Sequence, residues 1–265
     1  VKVIEANNGY IILGNMALPT SVKIGIIQTD IDGNYLWKKN IGTIDQVACD
    51  IHPAAGGGFL ITGTDSLNKP FIYKTDSAGN PLWVKYPFPP GLIGYSYGYQ
   101  IMDAAGGNYV VSGYSSKLVT GVPTYFGFMY TFSEQGDSLN SFEFISKPLT
   151  YSTKNLDGSY IMAGWGRIIK LKSDFTIEWE NEYSDYERNP DNEIRIITRT
   201  IETSDGGYVG VGWHAIDNYT PSNVYLIKTD GNGNSIIDSS LTPTGSFNAY
   251  PNPVTSELII DFQLV

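Results

Sequence analysis

The chain has 265 residues and a formal net charge of −10, and its isoelectric point lies near 4.6. This acidic balance argues against a nucleic-acid partner, because phosphates are bound by clustered Lys and Arg side chains. No apolar run is long enough to span a bilayer, and because Cys49 is the one cysteine, no intrachain disulfide can form. The 29 glycines and 19 tyrosines favour many short strands joined by tight turns.

An internal repeat organises the chain. A glycine that follows an apolar strand recurs about every 50 residues, at Gly14, Gly63, Gly113, Gly164 and Gly212. A period of this length is typical of stacked or radial repeat architectures. After the first repeat, which starts at the beginning of the chain, the others span about residues 44–88, 98–144, 151–183 and 193–238.

Each repeat contains four short strands separated by turns rich in Gly, Asn and Asp. In the first repeat, Asn8 and Gly9 precede the second strand, while Gly33 and Asn34 precede the fourth. Such turns need residues that tolerate positive φ, and they indicate hairpins. Four-stranded sheets with little core of their own are best buried face to face around an axis. We therefore predict an all-β protein in which residues 1–238 form a β-propeller of five four-stranded antiparallel blades, with an open array of sheets as the alternative.

A tryptophan recurs in the fourth strand of three repeats, as Trp37, Trp83 and Trp179. Burying such a ring against the next blade stabilises the fold by roughly 2 to 3 kcal/mol. We expect these three rings to be structural, although a ladder of sugar-stacking rings is the alternative. Asn140 and Ile237 stand at this place in the third and fifth repeats.

Several segments resemble known repeats. The segments IIQTDIDGNYLWKKNIG and YKTDSAGNPLWVKY resemble the strand, turn and Trp-containing strand of quinoprotein-like propeller repeats, and GGFLITGT and GGYVGVGW resemble repeats of secreted bacterial propeller proteins. The resemblance covers residues 1 to about 238. It implies the fold and no particular chemistry, and nothing in the sequence specifically signals the quinone cofactor.

The pattern changes after residue 238, where a stretch rich in Thr, Pro, Gly and Ser predicts a linker over residues 239–248. The following NAYPNPVTSELIIDF resembles the opening of the C-terminal sorting domain of type IX secretion cargo from Bacteroidetes-like bacteria. The match rests on Tyr250, Pro251, Asn252 and Pro253, and on the alternating strand after them. It implies that residues 249–265 begin a sorting domain, that the secretion machinery is a partner, and that the protein is secreted or attached to the outer-membrane surface. A proline-rich turn before one more strand is the alternative.

Ligand sites on repeat folds are expected on the connections that vary between repeats. The residues just after the repeated glycine include Tyr114, Trp165 and Trp213, with His214 beside the last. Three aromatic rings on one rim could stack on a sugar or another flat ligand. The alternative is that they pack beneath the loops that they introduce.

A second candidate patch lies on the presumed innermost strands, where Asp50, Gln100, Tyr151 and Arg199 occupy matching positions. We expect these residues to surround the axial opening, either as a recognition patch or as an ordinary solvated channel mouth. They also define the enzyme alternative, a carbohydrate hydrolase, which requires two carboxylates about 5 to 10 Å apart. The partner carboxylate would be one of the acidic residues nearby, for which the candidates are Asp103, Glu187, Asp191 and Glu202.

A weak calcium candidate is the loop DGNGNSIID, with ligand spacing at Asp230, Asn232, Asn234 and Asp238. The position where calcium loops carry an acidic ligand is Leu241. A hairpin turn is therefore the favoured interpretation, and no other cofactor is predicted. Together these features predict a secreted or surface-attached binding or structural module, with a glycan or an extracellular protein as its partner.

Overall fold

The computed structural model describes residues 1–6, 8–19, 21–86, 96–145, 148–183, 194–215, 223–241, 248–250 and 259–261. Across these residues the secondary structure consists of strands, turns and a single 3₁₀ turn at Ala105–Gly107. No helix in this part of the chain is long and apolar enough to cross a membrane.

The strands form five four-stranded antiparallel sheets, so the predicted fold class is confirmed. Blade 1 contains β1 (Lys2–Ala6), β2 (Gly9–Leu18), β3 (Ser21–Asp30) and β4 (Tyr35–Ile41). Blade 2 contains β5 (Val47–Pro53), β6 (Phe59–Thr64), β7 (Pro70–Thr75) and β8 (Pro81–Lys85). Blade 3 contains β9 (Ser96–Asp103), β10 (Tyr109–Val119), β11 (Val122–Phe132) and β12 (Ser138–Ile145).

Blade 4 contains β13 (Leu149–Lys154), β14 (Tyr160–Gly164), β15 (Arg167–Leu171) and β16 (Ile177–Glu182). Blade 5 contains β17 (Ile194–Glu202), β18 (Tyr208–Ala215), β19 (Asn223–Thr229) and β20 (Ser235–Leu241). In every blade the strands pair in chain order, as a meander. β20 runs past residue 238, the predicted end of the last repeat.

The described residues divide into two compact units. The first comprises Val1–Gly164 with Ile169–Glu178, and the second comprises Trp165–Ile168 with Trp179–Val265. Within the first unit, three clusters of buried apolar side chains lie between successive sheets, centred on residues such as Ile61, Val111 and Met162. The second unit buries Ile197, Tyr208 and Ile227 among others.

The turn between the third and fourth strands is built in the same way in three blades. In blade 1, Asp30 Oδ1 accepts hydrogen bonds from the backbone N–H groups of Asp32 and Asn34, and Oδ2 accepts one from the Asn34 side chain. Asp76 and Asp230 make the equivalent bonds in blades 2 and 5. The Asp side chain thereby satisfies the turn's amides, which explains why this short sequence recurs.

The tryptophans of the fourth strands dock on these turns in the following blade. A Cβ atom at Gly79 would lie 2.7 Å from the ring of Trp37, and one at Gly136 would lie 2.8 Å from the ring of Trp83. Trp179 meets Gly233 in the same way, and its indole N–H donates to the carbonyl oxygen of Gly231 at 3.0 Å. The structural role predicted for the three tryptophans is confirmed.

Blade 3 reverses this arrangement. Its fourth strand carries Asn140 at the tryptophan position, and the next blade has Phe175 where the other turns have glycine. Phe175 adopts φ 68°, is 8% exposed, and packs its ring against Phe142 and Tyr160 at centroid distances of 5.3 and 5.2 Å. The ring that takes the place of the tryptophan at this joint therefore comes from the turn, and it packs beside Phe142 of the strand.

The tail contains a two-stranded sheet of β21 (Asn248–Tyr250) and β22 (Ile259–Asp261). Tyr250 is the last residue of β21. Pro251, Asn252 and Pro253 lie outside the described residues. The linker and the sorting domain remain predictions.

Candidate functional site

The first strands of blades 2, 3, 4 and 5 each contain one residue that has no partner in the pairing register. These residues are Cys49, Tyr99, Thr150 and Thr198. Such β-bulges twist the strand locally and redirect side chains. The predicted axial residues Asp50, Gln100, Tyr151 and Arg199 each follow directly after the bulge.

Asp50 and Gln100 join neighbouring first strands. Asp50 is 4% exposed, and its Oδ2 accepts a hydrogen bond from the backbone N–H of Ile101 at 3.1 Å. Gln100 Oε1 accepts the equivalent bond from the N–H of Ser152 at 3.0 Å. The other oxygen of Asp50 pairs with Lys2 Nζ at 3.2 Å. Both side chains thus satisfy backbone donors of the next blade, which gives them a structural role whether or not a ligand also contacts them.

The other two members of this predicted patch differ from each other. Tyr151 is half-buried on β13, opposite Ala163. Arg199 lies in the second unit, is exposed, and donates from Nη1 to the carbonyl oxygen of Thr198 at 2.6 Å. Cys49, beside Asp50, is held as a thiol because burial, with the Asp50 charge, raises its pKa to about 12.

The carboxylates of the enzyme alternative are spread over several environments. Asp103 has a side chain that is 65% exposed, and its Oδ1 lies 3.0 Å from His52 Nε2. Glu202 is half-buried on β17 in the second unit. Glu187 and Asp191 lie outside the described residues. Asp50, the one carboxylate of the predicted axial set, is already engaged by Lys2 and Ile101.

Blades 1 and 3 have a longer hairpin between their second and third strands than blades 2 and 4. β10 and β11 have 11 residues each and β2 and β3 have 10, whereas β6 and β7 have six and β14 and β15 have five. β9 pairs with β10 only as far as Ser115, and β12 pairs with β11 only from Phe126. The register of β10 and β11 continues beyond these points to Val119 and Val122, so the hairpin extends beyond both flanking strands.

Four tyrosines are in ring contact at the base of this hairpin. Tyr97 and Tyr99 are stacked at a centroid distance of 5.8 Å and an interplanar angle of 12°. Tyr114 contacts both, at 5.5 and 5.8 Å, and Tyr125 meets Tyr114 at 6.1 Å. We call these four residues the tyrosine cluster. It contains Tyr114, which the sequence pattern singled out, and three tyrosines that it did not.

The tyrosine cluster is polar at its hydroxyls but uncharged. Burial raises the pKa values of Tyr99 and Tyr114 above the ordinary phenol value. The further influences on these two pKa values come from Tyr97, Tyr125 and the Cys49 thiol, and no carboxylate, Lys or Arg is among them. Tyr97 Oη also lies 3.5 Å from the amide oxygen of Asn68.

Trp165 and Trp213 lie in the second unit, where both pair with Ile196. Trp165 forms an isolated antiparallel bridge with Ile196, and Ile196 pairs with Trp213 across β17 and β18. Cross-strand partners place their side chains on the same sheet face. Both tryptophans are half-buried. Their environment agrees with packing at the end of blade 5 as well as with ligand contact.

His214 is more enclosed than its neighbour Trp213. It is 5% exposed, and its Nδ1 lies 3.4 Å from the side-chain nitrogen of Asn223. A histidine this deeply buried within a strand fits a packing role more readily than contact with a large ligand.

The calcium candidate adopts the same turn as blades 1 and 2. Asp230 accepts hydrogen bonds from the backbone N–H groups of Asn232 and Asn234 and from the Asn234 side chain. These bonds lower the pKa of Asp230. The side chain of Asp238 is outside the described set, and within that set no three His, Cys, Asp or Glu residues are grouped as metal ligands would be. A calcium ion at this loop remains a prediction.

Two solved structures support the fold, and a third aligns with a TM-score too low to bear on it. The Dos1 propeller aligns with a TM-score of 0.54 and 11% identity over 91% of this chain and 61% of that chain. An ACO/RPE65 chimera aligns with a TM-score of 0.50 and 10% identity over 88% of this chain and 58% of that one. A protein of unknown function from Bacteroides caccae aligns with a TM-score of 0.37 and 13% identity over 88% of this chain and 94% of that one.

The chain therefore spans less than two thirds of the Dos1 propeller and of the chimera. No protein-family model and no curated protein matches the sequence. Similarity at these identities concerns the fold alone. Together with the sheet order, it shows that the chain adopts a β-propeller fold with five four-stranded blades.

Proposed function

We propose that the chain is the binding module of an exported protein, and that its ligand contacts the tyrosine cluster. The observation that carries this proposal is the combination of an extended hairpin in blade 3 with four touching tyrosines at its base. Tyr125 is 42% exposed, and the other three rings are half-buried. Aromatic groups of this kind, carried on a rigid scaffold, are typical of recognition surfaces.

Binding is favoured over hydrolysis by the contacts of Asp50. A glycosidase needs one carboxylate as an acid and a second as a base or nucleophile. Asp50 instead accepts a hydrogen bond from the backbone N–H of Ile101 and forms an ion pair with Lys2, and it is 4% exposed. A group held in this way is poorly placed to exchange protons with a substrate.

The tail supports the proposal of export. The sequence Tyr250-Pro251-Asn252-Pro253 and the strand after it resemble type IX sorting domains. We propose that residues 249–265 belong to such a domain and direct the protein to the cell surface or the medium. In a bacterium with type IX secretion, replacing all four residues by alanine should shift the protein from the surface and medium fractions to the periplasm. Unchanged export would contradict this part of the proposal.

An array experiment tests the binding proposal. The purified protein and its variants Tyr125→Ala and Tyr35→Ala would be probed against extracellular polysaccharides, oligosaccharides and peptides. Tyr35 is the matched control, because it is an exposed tyrosine, 67% accessible, on the outer strand of blade 1. We expect the wild type and Tyr35→Ala to bind the same ligands and Tyr125→Ala to lose them.

The same panel distinguishes the enzyme alternative. Each polysaccharide would be incubated with the wild type and assayed for released reducing ends. Release of sugar that Asp50→Asn abolishes would replace the binding proposal by the hydrolase. Binding that is equal in all three proteins would place the site elsewhere than the tyrosine cluster.

A further inference from the structure

We infer that the ligand of the tyrosine cluster is a neutral glycan, one of whose sugar rings stacks on the exposed ring of Tyr125. This inference rests on the proposed function and adds the chemical class of the ligand. It depends on three features of the cluster, which are the ring spacing, the uncharged groups that surround its buried hydroxyls among the described residues, and the polar atoms that it offers.

The ring spacing decides where a ligand can lie. The centroid distances of 5.5 to 6.1 Å mean that neighbouring rings touch. An aromatic cage for a quaternary ammonium ion needs a space between rings that the cation fills. No such space exists between rings in direct contact, so a ligand must lie on the outer faces of the cluster.

The same spacing argues against a proline-rich peptide. Such peptides dock in grooves between aromatic ridges. Tyr97 and Tyr99 are nearly parallel, but they are stacked on each other and leave no groove between them. A pyranose ring, in contrast, presents a flat face of C–H groups, which needs only one exposed aromatic face.

The electrostatics select a neutral ligand. Among the described residues, the groups that influence the buried hydroxyls of Tyr99 and Tyr114 are other tyrosines and a thiol. Lys117 of the hairpin and Glu143 of the neighbouring strand pair with each other at 2.5 Å, so their charges offset each other. An anionic glycan would be repelled by a chain of net charge −10.

The cluster and Asn68 offer polar groups that can hydrogen-bond to sugar hydroxyls. The phenol groups of the cluster are donors and acceptors, and Asn68 adds an amide 3.5 Å from Tyr97 Oη. Sugar sites combine apolar faces with a few such groups, which fix the orientation of the ligand. Tyr125 is the most exposed ring, and Tyr114 is the ring that contacts all three others.

Calorimetric titration tests the inference with defined probes. Neutral hexasaccharides of glucose, xylose and mannose would be compared with an oligogalacturonate and with decaproline. We expect at least one neutral hexasaccharide to bind, Tyr125→Ala to weaken its affinity about tenfold or more, and Tyr35→Ala to leave it unchanged. Tyr125→Phe should retain affinity within about threefold, because stacking uses the ring.

The outcomes separate the ligand class from the binding site. Suppose that no neutral hexasaccharide binds, but that decaproline or oligogalacturonate binds and Tyr125→Ala abolishes this binding. That result would overturn the inference of a neutral glycan and keep the proposed function. Binding of a neutral hexasaccharide that is unaffected by Tyr125→Ala would overturn both. Failure of all three neutral probes overturns the inference, while the array decides the function. Thermal unfolding of each variant shows that the comparison is made between folded proteins.

Discussion

Blades 2 and 3 have the same strand order, yet the turn that Asp76 caps in blade 2 is capped by Ser133 in blade 3, and the strands around that turn also differ. Blade 2 has short second and third strands, a tryptophan in its fourth strand, and Cys49 at the bulge. Blade 3 has strands of 11 residues, Asn140 in place of the tryptophan, and Tyr99 at the bulge. The features that recur explain how blades fold and pack. The tyrosine cluster of blade 3 is the feature that a ligand could recognise.

The largest loss of stability is expected from a side chain added at a turn glycine on which a tryptophan packs. Gly136 has φ 79°, and a Cβ there would lie 2.8 Å from the ring of Trp83. Gly136→Ala should therefore lower the free energy of unfolding by roughly 2 to 4 kcal/mol, from positive φ and overpacking together. Gly107→Ala is the control, because φ is 74° there and a Cβ would meet nothing within 4 Å. That variant should lose only about 1 to 2 kcal/mol in urea unfolding. Equal losses would show that Trp83 does not restrict this site.

The joint between blades 3 and 4 can be tested by introducing the tryptophan and glycine that meet at the other joints. Asn140→Trp alone should destabilise the protein by roughly 1 to 3 kcal/mol, because Phe175 already fills the position that a ring would take. Adding Phe175→Gly should recover part of that loss, so the two changes should be coupled by about 1 kcal/mol or more. A double-mutant cycle of unfolding free energies measures the coupling. Strictly additive effects would contradict the idea that Phe175 occupies the place of the missing tryptophan.

The bonds between first strands should contribute less. Gln100→Ala leaves the N–H of Ser152 without its partner, which costs roughly 1 to 2 kcal/mol of stability. Because this role is structural, the variant should bind the cluster's ligand with unchanged affinity at a temperature where it is folded. If the variant retains full stability but loses binding, Gln100 contacts the ligand, as the predicted recognition patch requires.

The smallest effect concerns the ion pair between blades 2 and 3. Glu134 Oε1 lies 3.1 Å from Lys74 Nζ, and this hydrogen bond lowers the pKa of Glu134 below its ordinary value of 4.5. A depressed carboxyl pKa contributes stability above the ordinary value, and this contribution is lost as the pH falls through the folded-state pKa. Glu134→Gln should cost about 1 kcal/mol at pH 7 and progressively less on acidification below pH 4. A cost that does not change with pH would show that the charge is irrelevant.

The sequence predicted the fold because its signals are local and repeated. Glycine turns with Asp and Asn caps, and the three tryptophans, follow from backbone geometry and burial that every blade shares. The repeat period of about 50 residues was enough to predict five sheets. Asn140 hinted that the joint after blade 3 is different, but the aromatic ring that replaces the tryptophan, Phe175, lies in the next repeat.

The site was predicted only in part. Tyr114 was found because it follows the repeated glycine, but Tyr97 and Tyr125 come from neighbouring strands, and their contact depends on the register of blade 3. Tyr99 joins them because a bulge places it beside Tyr97. Asp50 was predicted as a site residue because it is polar near the axis, whereas its partners show that it joins strands. Long-range pairing of this kind cannot be derived from composition or spacing.

The central claim is that the non-recurring tyrosines of blade 3 form the ligand surface. Protein labelled with ¹³C-tyrosine and titrated with a neutral hexasaccharide tests it most directly by NMR, with resonances assigned from single Tyr→Phe variants. Saturable shifts should be confined to Tyr97, Tyr99, Tyr114 and Tyr125, while Tyr35 stays fixed. Saturable shifts in tyrosines outside the cluster, or none in the cluster, would contradict the claim.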